Sequence, residues 1–273
     1  MAENAADIVT VDQWHQSIDS LFFRTKTGSL NWYSLAEIFV NLYNEDCEDL
    51  AVENRILQDG FGFLRTQTLK INPKVYQYMT QPNVKIHHTI DLVNCGRSSY
   101  AAVQHIADNL GDVLVSNFPI VVYVDKETRK SAPLPEYFRK AVKKTIPLNR
   151  FTFKAHVCSL KYFQMKVTVV YTDLDNYGHA TQTSYIRHVF NAFVAAAESR
   201  ALGNISVEDI FSAQELRFSF EAESKLGSSY IVKVWNDKSS GLHAQIVAEV
   251  NHEKIIFQAF VAVVSGPRKQ AKL

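Results

Sequence analysis

An internal echo constrains this chain more than anything else in it. The order strand, long helix, several strands occurs in both halves of its 273 residues. The second copy is the clearer. Met165–Tyr171 reads MKVTVVY, a β-branched and aromatic run that predicts a strand. A polar turn covers 172–182. Thr183–Leu202 then has no Gly or Pro, and Tyr185, Val189, Phe190, Phe193 and Val194 recur at helical spacing. Thr183 or Ser184 is placed to cap this helix and Gly203 to end it. Strand-like runs follow at Glu215–Ala222, Tyr230–Trp235, Leu242–Val250 and Ile255–Val264.

The first copy is looser. Leu21–Thr27 reads as a strand and Tyr33–Asp46 as a helix with Leu35, Ile38, Phe39 and Leu42 on one face. Strands are expected at Leu64–Ile71, Lys85–Val93, Ser99–Ala107 and Val113–Val124, and a short helix at Pro135–Lys144. LRTQTLKIN stands where LRFSFEAES stands in the second copy. The boundary falls near Pro147–Phe151, giving units 1–150 and 151–273. Two copies are too few for a solenoid. Each has one helix with an apolar face and a sheet able to wrap it. The fold class is α+β. The competing reading is one large α+β domain.

Hydrophobic residues make up 47% of the chain and charged residues 21%, enough for a sizeable core. A net charge of +1 without long like-charged runs gives no basis for a nucleic-acid partner. Cys47, Cys95 and Cys158 are odd in number and widely spaced, which argues against a disulfide framework and a structural zinc site. No stretch is apolar for long enough to span a bilayer. The polar start, Met1–Ser20, does not read as a secretory signal.

The chemistry-bearing segment is Tyr171-Thr-Asp-Leu-Asp-Asn-Tyr-Gly-His-Ala-Thr-Gln-Thr-Ser-Tyr185, between the strand and helix of the second half. A carboxylate can activate water or attack a carbonyl directly, and backbone donors can hold the developing oxyanion. A turn entering a helix offers both, because a helix N-terminus has unpaired N–H groups and a positive dipole end. Hydrolytic chemistry of this kind requires neither metal nor cofactor. Singly, each residue has a plainer role. Asp173 and Asp175 suit Asx turns. Gly178 suits a special backbone angle, His179 a structural hydrogen bond, and Tyr185 the core.

As a complete string the segment resembles the signature of the hotdog-fold thioesterases, of the 4-hydroxybenzoyl-CoA and acyl-ACP types. Asp173 and Asp175 match the Asp-x-Asp, Gly178 and His179 the Gly-His, and Tyr185 the helix-opening aromatic. The resemblance covers the second half. It implies a tandem double hotdog, each half a long central helix wrapped by an antiparallel sheet, the first half being degenerate. It implies Asp175 as general base or nucleophile, with amides near Ser184 and Tyr185 as oxyanion donors. His179 and Gln182 join Asp175 as catalytic candidates. Asp173, Gly178, Thr183, Ser184, Tyr185 and Asn191 are substrate-binding candidates. The family's Asn-Asn is replaced by Thr181-Gln182, and its helix Glu by Phe190-Asn191.

The first half has Lys26-Thr27-Gly28-Ser29-Leu30-Asn31-Trp32 at the corresponding place, without acid or histidine. By analogy with dimeric relatives its helix walls the site, with Glu37 as either a second carboxylate or a solvated residue. Gly96-Arg97-Ser98-Ser99, Arg129-Lys130 and Lys143-Lys144 are either nucleotide contacts or ordinary turns and surface. Ala271-Lys272-Leu273 resembles the SKL-type address read by the peroxisomal import receptor. The expected substrate is therefore an acyl-CoA in the peroxisome, with the cytoplasm as the alternative. A carrier-protein thioester and a non-catalytic acyl-CoA- or lipid-binding role are the rival functions. A homodimer is compatible with the sequence.

Overall fold

The computed structural model describes residues 10–15, 35–36, 39, 56, 60–78, 86–142, 145–147, 153, 161–237 and 240–263. The strand expected at Leu21–Thr27 lies outside them. So do Glu37, Cys47, Cys158, Lys143, Lys144 and Ala271-Lys272-Leu273. Of the expected helix Tyr33–Asp46, the described residues Leu35, Ala36 and Phe39 are helical.

Ten strands form one antiparallel sheet. They are β1 (Thr10–His15), β2 (Gly60–Ile71), β3 (Ile86–Val93), β4 (Ser99–Asp108), β5 (Val113–Asp125), β6 (Phe163–Thr168), β7 (Glu215–Phe220), β8 (Ser229–Asp237), β9 (Gly241–Ala248) and β10 (Ile255–Ala262). The spatial order is β1-β3-β4-β5-β2-β7-β10-β9-β8-β6. Read outward from the centre, it is 2-5-4-3-1 on one side and 7-10-9-8-6 on the other. Adding five to each first-half strand gives its second-half counterpart. The halves join where β2 pairs with β7, from Thr66↔Ser219 to Lys70↔Glu215. This joint gives each half's inner edge a partner instead of leaving it open. Arg65 reinforces it, with Nη2 2.5 Å from Glu221 Oε2 and Nη1 donating to the Phe220 carbonyl at 2.6 Å.

The helices are α1 (Val75–Tyr78), α2 (Glu136–Ala141), α3 (Gln182–Glu198) and α4 (Val207–Phe211). The long one, α3, lies against β6, β8, β9 and α4. Ten of its 17 residues are buried, among them Tyr185, Ile186, Val189, Phe190, Phe193, Ala196 and Ala197. That spacing places them on one broad face. Facing them are Tyr230, Val232, Val234, Leu242, Ala244, Ile246, Phe257 and Ala259, at 0–1% exposure. The apolar cluster continues into the first half through Leu35, Phe39, Leu69, Ile106 and Val115.

Boundaries differ from expectation where local chemistry decides them. Helix α3 begins at Gln182, not Thr183, because Thr181 is its N-cap and accepts the Ser184 N–H on its side chain at 3.2 Å. It ends at Glu198, not Leu202. Arg200 takes φ +60° and Gly203 φ +74°, left-handed angles that unwind the chain. Strand β6 stops at Thr168, and Tyr171–Asp173 turn as a short 3₁₀ segment. Strand β1, helix α1 and helix α4 were not anticipated.

Candidate active site

The loop from Tyr171 to Thr181 is held by its first acid. Asp173 is fully buried. Its Oδ2 accepts the Val170 N–H at 2.9 Å and its Oδ1 takes the Arg187 guanidinium. Its carbonyl accepts the Thr181 N–H at 2.8 Å and the Ser184 hydroxyl at 3.0 Å. His188 Nε2 lies 3.6 Å from the same Oδ1, and the other side of that ring meets the Tyr230 hydroxyl. Burial pushes the His188 pKa down. Asp173 opposes that shift and Arg187 adds to it. Asp173 is thus saturated by its own chain, which corrects the expectation that it meets substrate. It is the post that ties loop to helix.

Asp175 is exposed. Its Oδ1 accepts the Tyr177 N–H at 2.8 Å and the His179 N–H at 3.0 Å, while its own N–H donates to the His179 carbonyl at 2.8 Å. This is an Asx-type turn closed at both ends. Gly178 completes it at φ +77°, with nothing within 4 Å of where a Cβ would stand. The backbone angle, not space, explains the glycine. Two main-chain donors fix Asp175 Oδ1. Its Oδ2 has no hydrogen-bond partner among the described residues.

His179 is carried beside a residue that the sequence reading passed over. Its Nε2 lies 3.4 Å from Glu223 Oε2, and Glu223 Oε1 lies 3.9 Å from Arg129 Nη2. The contact exists because the chain after β7 runs alongside the loop. His179 bridges Lys225, and the Ala180 N–H donates to the Ser224 carbonyl at 2.8 Å. Glu223 and Ser224 fell between an expected strand and an expected turn. The one sequence signal for them was the polar alternation Glu221-Ala222-Glu223-Ser224 at the strand's end.

Tyr185 floors the site. It is buried and stacks on Phe257, with ring centres 5.8 Å apart and planes 15° apart. Burial raises its hydroxyl pKa. The nearby charges of Glu223 and Asp175 raise it further, and the neighbouring Ser224 opposes them. The Ser184 and Tyr185 amides, expected as oxyanion donors, both turn back to the Thr181 carbonyl, at 3.2 and 3.4 Å. Among the described residues the open donors of the first turn are the amides of Gln182 and Thr183, both half-buried. Ser184 is itself buried against Thr181, their hydroxyls 2.7 Å apart. Asn191 is exposed and lies two turns beyond Thr183, roughly 12 Å along the axis. The structure does not bring it to the loop.

The loop also touches the other half of the molecule. Tyr177 meets the Phe61 ring edge-to-face at 5.3 Å. Lys126 and Arg129 lie over the same Phe61 ring, at 5.8 and 5.5 Å. The site is therefore bordered by β2 and by the turn after β5. Among the described residues no group of three or more His, Cys, Asp or Glu is placed to hold a metal ion, and no helix is long and apolar enough to cross a membrane.

No protein-family model matches the sequence, and no curated protein matches it. Solved structures do match. An acyl-ACP thioesterase from Bacteroides thetaiotaomicron superposes with TM-score 0.70 at 14% identity, over 93% of this chain and 98% of that one. A protein assigned as an oleoyl thioesterase from Lactobacillus plantarum gives TM-score 0.71 at 14% identity, over 97% and 99%. The 12:0-ACP thioesterase from Umbellularia californica gives 0.69 at 10% identity, over 92% and 96%. Identities this low speak for fold alone. The overlap is nearly complete in both directions, so what is shared is the whole sheet and not one half of it. The chain has the fold of these hotdog thioesterases.

Proposed function

We propose that the chain is a thioester hydrolase built as two hotdog units in tandem, 1–150 and 151–273, with one reaction centre per chain. The matching strand order on either side of the β2–β7 joint supports the tandem reading. The observation that carries the activity is Asp175. One of its oxygens is pinned by two main-chain amides, the other has no hydrogen-bond partner among the described residues, and its charge acts on Tyr185 in the first turn of α3.

In this reading a water gives a proton to Asp175 Oδ2 as its oxygen attacks the thioester carbonyl carbon. The amides of Gln182 and Thr183 hold the oxyanion, with the Gln182 side chain flanking it. The C–S bond then breaks, and the thiolate takes the proton back from Asp175. The products are a carboxylic acid and a thiol. His179, backed by Glu223, orients the water. Asp173 keeps loop and helix in register.

The carrier we propose is CoA, in the peroxisome, on the strength of Ala271-Lys272-Leu273. Lys126 and Arg129 beside the loop, with Lys130 next in the chain, are the groups to meet its phosphates. A carrier-protein thioester is the second reading. It is favoured because two of the structures that match end to end are acyl-ACP thioesterases by name. Kinetics on one acyl chain presented on CoA and on acyl carrier protein decide between them. A non-catalytic acyl-binding role draws support from the exposure of Asp175. Asp175→Asn tests it. The enzyme reading requires lost turnover with substrate binding retained. Unchanged turnover removes Asp175 from the mechanism.

A further inference from the structure

The inner face of the first-half sheet carries a belt of buried polar side chains. His88 on β3, Gln104 on β4, Asn117 on β5 and Gln67 on β2 are 0%, 1%, 2% and 2% exposed. Strand alternation puts all four on the core side. Along β4 the inward residues are Ala102, Gln104, Ile106; along β3, Ile86, His88, Ile90; along β2, Gln67, Leu69, Ile71. The belt separates two apolar clusters. Leu69, Ile86, Ile106 and Val115 belong to the large shared core, and Ile90, Ala102, Val121 and Tyr123 to another.

Gln104 and Asn117 face each other across the β4–β5 ladder, and Asn117 Nδ2 donates to Gln104 Oε1 at 2.5 Å. Among the described residues that bond leaves Gln104 Nε2 and Asn117 Oδ1 without partners, and Gln67 Oε1 has none either. Whichever way the two facing amides are turned, their mutual bond leaves one donor and one acceptor over. A buried polar atom without a partner is destabilising, so three of them in one diagonal belt call for something that meets them.

Packed side chains link the belt to the candidate site. Tyr185 in the first turn of α3 stacks on Phe257, Phe257 stacks on Phe218 at 5.8 Å, and Phe218 pairs with Gln67 across the β2–β7 joint. From Phe257 on β10 to Gln67 on β2 is two strand spacings, roughly 10 Å, and Gln104 lies two further on, roughly 20 Å away. Helical Leu35 and Phe39 close over the same core, and Phe39 meets the His88 ring edge-to-face at 6.5 Å.

We infer that this belt is a specificity site for an oxygen carried within the acyl chain, well away from the carbonyl, and that a hydroxyl is its best match. This rests on the thioester-hydrolase reading of the second-half loop. A hydroxyl both donates and accepts, so it satisfies the leftover acceptor and the leftover donor together. A keto oxygen satisfies only the donor, and a plain methylene neither. The distance excludes hydroxyls next to the carbonyl, at positions 2 and 3.

The test is kcat/KM for matched C16 acyl-CoA thioesters: unsubstituted, 2-hydroxy, 3-hydroxy, and a series with the hydroxyl or keto group stepped through the middle and distal chain. The expected result is a preference of tenfold or more for at least one mid-chain or distal hydroxy isomer over the plain chain, with the keto analogue between them. The 2- and 3-hydroxy isomers gain nothing. In Gln104→Met/Asn117→Leu, with folding confirmed by its melting temperature, the ratio of kcat/KM for the hydroxylated over the plain chain falls to about one. Equal turnover of plain and hydroxylated chains by the wild type overturns the inference, and ordered water is then what meets the amides. A preference that survives the double substitution also overturns it. If no thioester is cleaved at all, the hydrolase reading fails separately. Equilibrium binding of the same plain and hydroxylated acyl-CoAs to wild type and double variant then decides the belt by the same comparison.

Discussion

The two halves of the sheet have one strand order and two different interiors. In the second half the inward positions of β7 to β10 are Leu216, Phe218, Tyr230, Val232, Val234, Leu242, Ala244, Ile246, Phe257, Ala259 and Val261. These are aliphatic or aromatic, and Tyr230 alone carries a polar atom, which meets His188. In the first half the corresponding face is crossed by His88, Gln104, Asn117 and Gln67. The candidate loop shows the opposite bias, since only the second half has the Asp-x-Asp and the Gly-His. The difference frames the division of labour proposed above, with the chemistry assigned to the second half and the reading of the acyl chain to the first.

The largest effect that would break this comparison is on the chemical side. Asp175→Asn removes the free carboxylate oxygen but keeps an acceptor for the Tyr177 and His179 amides. Turnover should fall by about 10²–10⁴, the usual contribution of a positioned general base. Affinity for the acyl chain, measured by calorimetry, should change little. If affinity collapses with turnover, the halves are not separable and the division of labour is wrong.

Next in size is the packing of the second-half core. Phe193 is fully buried on α3. Phe193→Ala should cost about 3–5 kcal/mol in urea unfolding, because the apolar interior around it cannot fill the space. A loss under about 1 kcal/mol would mean that α3 is far more loosely seated than its burial implies.

A smaller effect depends on pH. The folded pKa of His188 is lowered by burial from its ordinary 6.5, so the unfolded chain binds the proton more readily than the folded one. Stability should therefore be flat above about pH 6.5 and fall as pH drops below it, through the folded pKa. His188→Gln should remove that part of the slope, read from thermal unfolding across pH 5–8. A slope of unchanged steepness in the variant assigns it to other groups.

Smaller again is the cap. Thr181→Ala removes the side-chain acceptor for the Ser184 N–H and should cost about 1 kcal/mol. It should also lower kcat more than it alters KM, because the first-turn amides lose their orientation. Equal kcat in the variant would remove those amides from the oxyanion role.

Much of the second half was legible because its signals are local. Helix α3 announces itself by apolar spacing over residues without Gly or Pro. The loop announces itself by a run of short-range turn formers. What was not legible is set by contacts between distant segments. Thr181 rather than Thr183 caps α3 because the Asp173 carbonyl has already claimed the Thr181 N–H. Glu223 reaches His179 only through the pairing of two chain segments that no local pattern records. Among the described residues strand β1 pairs only with β3, and TVDQWH has none of the alternation that marks a half-buried strand. The belt was hidden by parity. The echo of LRTQTLKIN with LRFSFEAES sets Gln67 level with Ser219, on the outer face. The register shift between Leu64 and Thr66 instead turns Gln67 inward, opposite Phe218.

The smallest expected effect is on the stability of the first half, and it sharpens the comparison most. Gln67→Leu replaces a buried amide, whose Oε1 has no partner among the described residues, with a side chain that suits the neighbouring Leu69 and Phe218. Removing an unsatisfied polar atom from a core relieves a desolvation cost of about 1–3 kcal/mol, less whatever the rest of the amide was contributing. The net change in urea unfolding should lie between zero and about 1 kcal/mol of added stability. The matching change in the second half, Phe218→Gln, buries an amide where the core is apolar and should destabilise clearly. If Gln67→Leu instead loses 2 kcal/mol or more, the amide is already satisfied within the fold. The first-half interior would then be a structural network like that around Asp173, and no longer a surface kept for a ligand.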